Sequence, residues 1–140
     1  PPMAWLMASL GSFPVRRDSA DRESMRIARE LLAENNLLLV FPEGKRHEGD
    51  TVDELFDGTA WLAARTGSTV VPVGIAGTGD AMPTGARLPR PVKVRMVVGP
   101  AIDPPEPKAS RSVLRAWTVG LASALQAAQD EAVGSRRGTG

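Results

Sequence analysis

The sequence has no cysteine and only one histidine, His47. Without cysteine there is no disulfide framework, no thiolate nucleophile and no cysteine-ligated metal, a pattern that fits a reducing compartment. An excess of one charge is lacking too: 17 basic residues against 16 acidic ones leave a net charge of +1. Bulk charge therefore points to no nucleic acid and to no strongly acidic partner. No apolar run approaches the roughly 20 residues that a membrane-crossing helix needs. The opening PPMAWLMASLG lacks an initiator Met, a basic leader and a small-residue cleavage site. It reads as the start of a fragment whose upstream part is missing.

What is present suits one folded domain. A chain of 140 residues with 42% hydrophobic content can bury a core. We assign that domain to residues 1–133 and expect a disordered tail over 134–140, GSRRGTG. No internal repeat is found.

The local patterns alternate between helix and strand. Met3 to Leu10 is apolar with mixed helix and turn character, and Phe13-Pro14-Val15 reads as a short extended piece. Asp18, Ser19 and Asp21 are N-cap candidates for a helix in which Met25, Ala28, Leu31 and Leu32 recur at helical spacing up to Asn35-Asn36. The run Leu37 to Phe41 has the pattern of a strand buried on both faces. Gly58 to Arg65 reads as a second helix with Gly67 as its stop, and Val70 to Ala76 as a second buried strand. Strand, helix, strand in that order implies a right-handed crossover and a parallel pair.

Val92 to Val98 alternates, which predicts an edge strand with one apolar and one basic face. Beyond the proline-rich connector of residues 100–107, Ser110 can cap a last helix with an apolar stripe of Val113, Leu114, Trp117, Leu121 and Leu125. The fold class expected is α/β: a mixed, mainly parallel sheet flanked by helices, incomplete at its N-terminal end.

The segment LLLVFPEGKRHEGD empties its apolar run into Glu43, Gly44, Lys45, Arg46 and His47. In open α/β sheets ligands bind beyond the carboxyl ends of parallel strands, which is where this cluster falls. Lys45 and Arg46 offer charge and a guanidinium fork suited to phosphate, and Gly44 allows backbone to approach a ligand. Glu43 can orient a neighbouring cation or accept from a ligand hydroxyl. A phosphorylated small molecule is the natural candidate, with an ordinary solvated turn as the alternative. Two phosphate motifs fail: Gly44-Lys45 is followed by Arg46, not Ser or Thr, with Leu39 where a P-loop needs its first glycine. Gly74, Gly77 and Gly79 have the wrong order for a dinucleotide fingerprint.

Three blocks in fixed order, GSFPVRR (Gly11 to Arg17), FPEGKR (Phe41 to Arg46) and VVPVGI (Val70 to Ile75), together resemble the second, third and fourth motifs of the glycerolipid acyltransferases. The likeness covers residues 2–85, and the helix around Trp61 to Ala64 also looks like the family's helix between the third and fourth blocks. It implies that Arg17 and Arg46 hold the phosphate of the acceptor, that Glu43 and Gly44 shape that pocket, to which Lys45 adds positive charge, and that Pro72 lies near the reaction centre. It further implies transfer of a fatty acyl group from acyl-CoA or acyl-carrier protein to 1-acyl-sn-glycerol 3-phosphate. Phosphatidic acid would be the product, with no metal and no bound cofactor. The partners implied are a lysophospholipid or glycerol-phosphate acceptor, the acyl donor and a peripheral membrane surface, with the protein on the cytoplasmic face of that membrane.

The chain departs from the family's pattern. Lys45 stands for the usual threonine and His47 for the usual serine. The family's first block, His-x-x-x-x-Asp, which supplies the general base and the carboxylate that orients it, is absent. His47 has Val52 at the aspartate position and belongs to the third block. No catalytic residue is therefore assigned within these 140 residues, and the chain alone is expected to be inactive. A non-catalytic phosphate- or phospholipid-binding module is the alternative. Trp5, Trp61 and Trp117 read as core anchors, with Trp5 also open to a membrane surface, while Arg87, Arg90, Lys93 and Arg95 read as a solvated face.

Overall fold

The computed structural model describes residues 22–44, 49–83, 85–86 and 88–138. Contacts group the chain into two compact units, Pro1–Leu39 and Val40–Gly140. The segments Met3 to Leu10 and Phe13-Pro14-Val15 and the cap candidates Asp18, Ser19 and Asp21 lie outside the described residues.

In the first unit, helix α1 spans Arg22–Ala33. Its exposed face is laced by Arg26, whose guanidinium bonds Glu23 and Glu30 at 2.6 Å each, one turn back and one turn on. These carboxylates raise the Arg26 pKa above its ordinary value, through the bond to Glu23 first. Ser24 and Ala28 are buried on the other side. The predicted stop is built as a Schellman turn: Asn35 takes φ 61°, Asn36 N–H donates to Leu31 O at 3.0 Å, and Asn35 N–H donates to Leu32 O at 3.1 Å.

The strand expected over Leu37 to Phe41 is not formed among the described residues. Leu37 is 94% exposed, and Leu39 and Phe41 also face solvent. An apolar run states only that burial would be favourable. A strand also needs a partner backbone, and the run pairs with none among the described residues.

The second unit holds helix α2 (Gly58–Thr66), strand β1 (Val73–Ala76), a single helical turn α3 (Thr78–Ala81), strand β2 (Arg95–Val98) and helix α4 (Arg111–Arg137). Helix α2 buries Ala60, Leu62, Ala63 and Ala64. Gly67 ends it at φ 67°, donating to Ala63 O at 2.8 Å, in the left-handed conformation that a glycine adopts without strain.

Among the described residues the sheet is two-stranded and antiparallel, not parallel, with Val73 opposite Val98 and Ala76 opposite Arg95. The ladder is interrupted at Pro72, which has no N–H to give. Its carbonyl still accepts from Gly99 N at 2.8 Å, and Val70 then exchanges two bonds with Ile102. From Val73 to Val70 is three residues while from Val98 to Ile102 is four, which marks a one-residue bulge. On the edge of β1 where a parallel neighbour would pair, the Gln129 side chain accepts from Ile75 N at 2.9 Å and donates to Ile75 O at 3.2 Å. A side-chain amide thus satisfies the backbone groups that a further strand would have used.

Helix α4 lies across the sheet through small residues. A Cβ on Gly74 would stand 2.2 Å from Ala128 O, so glycine is what allows the close crossing. Ala76, Ala128 and Ala132 are buried with it. Ser110 caps α4 as expected, its Oγ accepting from Val113 N at 3.4 Å. The stripe is buried in part: Leu121 is fully buried, Leu114 and Leu125 are half-buried, Val113 is 48% exposed, and Trp117 is half-buried, donating through Nε1 to Asp103 O at 2.9 Å. The fully buried positions are Thr118, Leu121, Ala128 and Ala132. The helix also runs through residues 134–137, assigned from sequence to a disordered tail. Arg136 holds that last turn by donating to Lys93 O at 3.0 Å and pairing with Asp80 at 2.5 Å.

Strand β2 inverts its expected faces. Met96 and Val98 are each 64% exposed, while Arg95 and Val97 are half-buried on the side that meets the helix. Among the described residues no helix is long and apolar enough to cross a membrane.

Candidate functional site

The FPEG block forms a tight turn. Gly44 N–H donates to Phe41 O at 3.1 Å, with Pro42 at the position whose fixed φ favours a turn and Gly44 at φ 66°. The chain returns past it: Phe56 N–H donates to Pro42 O at 3.1 Å, and the Phe56 ring edge lies 3.0 Å from where a Cβ on Gly44 would be. Any side chain at residue 44 would meet both a strained φ and that ring.

Glu43 is half-buried, and its Oε2 accepts from Asp53 N–H at 2.9 Å. A carboxylate that accepts from backbone N–H makes a charge-assisted bond, which here ties the turn to the segment ten residues on. The next residues are held by α4. Arg115 donates to Leu55 O at 3.3 Å, bonds Glu54 at 2.5 Å and stands 3.6 Å from Asp57. The bond to Glu54, with the Asp57 charge beside it, raises the Arg115 pKa.

Of the residues assigned to the site from sequence, the structure places Glu43, Gly44 and Pro72. Arg17, Lys45 and Arg46 lie outside the described residues, as does His47. Glu43 and Gly44 adjoin in the turn, and each does structural work that the sequence suggested only in outline. Pro72 is fully buried, against Gly99. Its ring offers no surface to a ligand, so its contribution is to fix the backbone where the ladder breaks. Asp53, Phe56 and Arg115 were not legible as site residues, because their roles run through backbone groups and partners far along the chain. Among the described residues no three His, Cys, Asp or Glu side chains are grouped to hold a metal ion.

The turn up to Gly44 thus has a fixed backbone, and its carboxylate is engaged in holding the Asp53 segment.

The chain is similar to several known proteins. A family model described as Acyltransferase matches residues 1–76. The chain is 33% identical over 88 residues to a chloroplastic 1-acyl-sn-glycerol-3-phosphate acyltransferase of Arabidopsis thaliana, covering 61% of this chain and 25% of that protein. It is 36% identical over 109 residues to a 1-acyl-sn-glycerol-3-phosphate acyltransferase of Chlamydomonas reinhardtii, covering 74% of this chain and 32% of that one. The crystal structure of the 1-acyl-sn-glycerophosphate acyltransferase PlsC from Thermotoga maritima superposes with a TM-score of 0.67 at 26% identity, over 94% of this chain and 52% of that chain. The chain thus spans a quarter to a third of the curated relatives and about half of the solved one. With the matched region containing all three motif blocks, this chain belongs to the glycerolipid acyltransferase superfamily.

Proposed function

We propose that this chain is the acceptor-holding part of a 1-acyl-sn-glycerol-3-phosphate acyltransferase. The observation that carries the reading is the FPEG turn, whose backbone is fixed by Asp53 and Phe56 at the start of a Lys45-Arg46 pair inside the region matched by the family. Arg46 and Arg17 grip the acceptor phosphate through charge-assisted bonds. That grip aligns the free hydroxyl of the lysophospholipid with the thioester of acyl-CoA or acyl-carrier protein. The hydroxyl oxygen attacks the thioester carbon, the C–O bond forms, the C–S bond breaks, and the hydroxyl proton passes to a general base as the thiol leaves. No bound cofactor or metal is invoked. The acceptor is a membrane lipid, so the reading places the protein at a membrane surface, on its cytoplasmic side.

A second reading has its own support. The only histidine, His47, lacks an aspartate five residues on, so these 140 residues contain no His-x-x-x-x-Asp pair. As it stands the chain would bind a phospholipid phosphate without transferring an acyl group. The two are separated by assaying this chain, and the same chain extended upstream through a His-x-x-x-x-Asp block, with labelled acyl-CoA and lysophosphatidate while measuring lysophosphatidate binding; turnover by the extended form supports the enzyme, and its absence the binding module. Binding without turnover is expected of the chain alone. Absence of binding would remove both readings.

A further inference from the structure

Helix α4 carries Arg115, Gln126 and Arg137, spaced eleven residues apart. Eleven residues make almost a whole number of helical turns, so the three lie along one face. Each meets the segment that leaves the signature block. Arg137 stands 3.6 Å from Asp50, Gln126 accepts from Val52 N–H at 2.8 Å and donates to Asp50 O at 3.2 Å, and Arg115 takes Glu54 and Leu55 O.

We propose that Gln126 is a positioning residue for the acceptor-phosphate loop, acting at the centre of this polar seam; the proposal rests on the reading of the FPEG block as the phosphate-binding loop. In extended backbone, successive N–H groups point to opposite sides. The Val52 N–H points to Gln126 on the helix, and the Asp53 N–H points to Glu43 in the turn. The segment is thereby stitched between the last helix and the signature turn. Asp130, one helical turn on, accepts from Gln126 Nε2 at 2.8 Å, which orients the amide so that its oxygen faces Val52. Without Gln126 the Val52 N–H loses its partner, and the support behind the Glu43 anchor is released.

Gln129 supplies the control. It grips Ile75 with the same pair of bonds but does not reach the loop. The test uses the 140-residue chain with glycerol 3-phosphate as probe, measuring affinity by calorimetry and amide exchange by NMR in the unsubstituted protein, Gln126→Ala, Gln126→Glu with Asp130→Asn, Gln129→Ala and Arg46→Ala. Gln126→Ala is expected to speed exchange at Val52 and weaken binding about five- to thirty-fold, the effect of losing two backbone bonds. Gln126→Glu retains an acceptor for Val52 but sets a second carboxylate against Asp130, so recovery of part of that loss is expected only when it is combined with Asp130→Asn. Gln129→Ala speeds exchange at Ile75 and leaves affinity unchanged. Binding that depends on Arg46 but is the same in Gln126→Ala, or Gln126→Glu with Asp130→Asn as weak as Gln126→Ala, overturns the proposal and leaves the phosphate reading standing. No binding by the unsubstituted chain, or binding indifferent to Arg46→Ala, overturns that reading and this proposal with it.

Discussion

The carboxylate of Glu43 and the backbone N–H of Asp53 are joined by a hydrogen bond of 2.9 Å, which closes the loop that begins at the FPEG turn. The acid of the signature block therefore acts first on the protein's own backbone. Glu43→Ala leaves that N–H without its acceptor and is expected to cost about 1 to 3 kcal/mol of stability, with Glu43→Gln losing less. Urea denaturation of the two variants checks this ordering.

Gly74 sets how closely α4 can approach the sheet. Gly74→Ala drives a Cβ into the Ala128 carbonyl, and we expect a loss of about 3 kcal/mol or more, since the clash is with backbone and no rotamer change relieves it. Gly58→Ala, at a position with open space around it, should stay close to the parent. Equal melting temperatures for Gly74→Ala and the parent would contradict the packing described.

How much was legible in the sequence follows from the range of each interaction. The stops at Asn35 and Gly67 and the cap at Ser110 were readable because each is decided within one helical turn. The antiparallel pairing was not, because it joins residues far apart in the chain, Val73 to Val98, and leaves Ile75 to Gln129 across 54 positions. The stripe of α4 was legible in part: Leu121 is buried and Leu114, Trp117 and Leu125 are half-buried, while the crossing at Gly74 adds Ala128 and Ala132 to the buried line and Val113 stays exposed. The turn residues Glu43 and Gly44 were identified from their motif, whereas the partners that hold them, Asp53 and Phe56, carry no local signal.

The membrane reading makes its own prediction. Leu88, Val92, Val94 and Met96 are exposed apolar side chains, with Arg90 and Lys93 exposed between them. Liposome flotation is expected to show binding that rises with anionic lipid and falls with salt, and Leu88→Ser together with Arg90→Ser should weaken it. Trp5, open to a membrane surface from its sequence context, lies outside the described residues and would be tested by the same assay. Recovery in the soluble fraction at every lipid composition would count against membrane contact.

The guanidinium fork at residue 46 should be distinguishable from charge alone. In an enzymatically competent form of the protein, Arg46→Ala is expected to lower acceptor kcat/KM by about 2 to 4 kcal/mol in transition-state terms, with Arg46→Lys recovering only part because the two-pronged geometry is lost. Full recovery by lysine would assign the role to charge only.

The most direct measurement is an NMR titration of the isotope-labelled chain with glycerol 3-phosphate, following the backbone amides of the FPEG turn and its anchor. The account predicts saturable shifts at Gly44, Val52 and Asp53 that vanish in Arg46→Ala while the amides of α1 stay still. Shifts absent from the turn, or unchanged when Arg46 is removed, would contradict it.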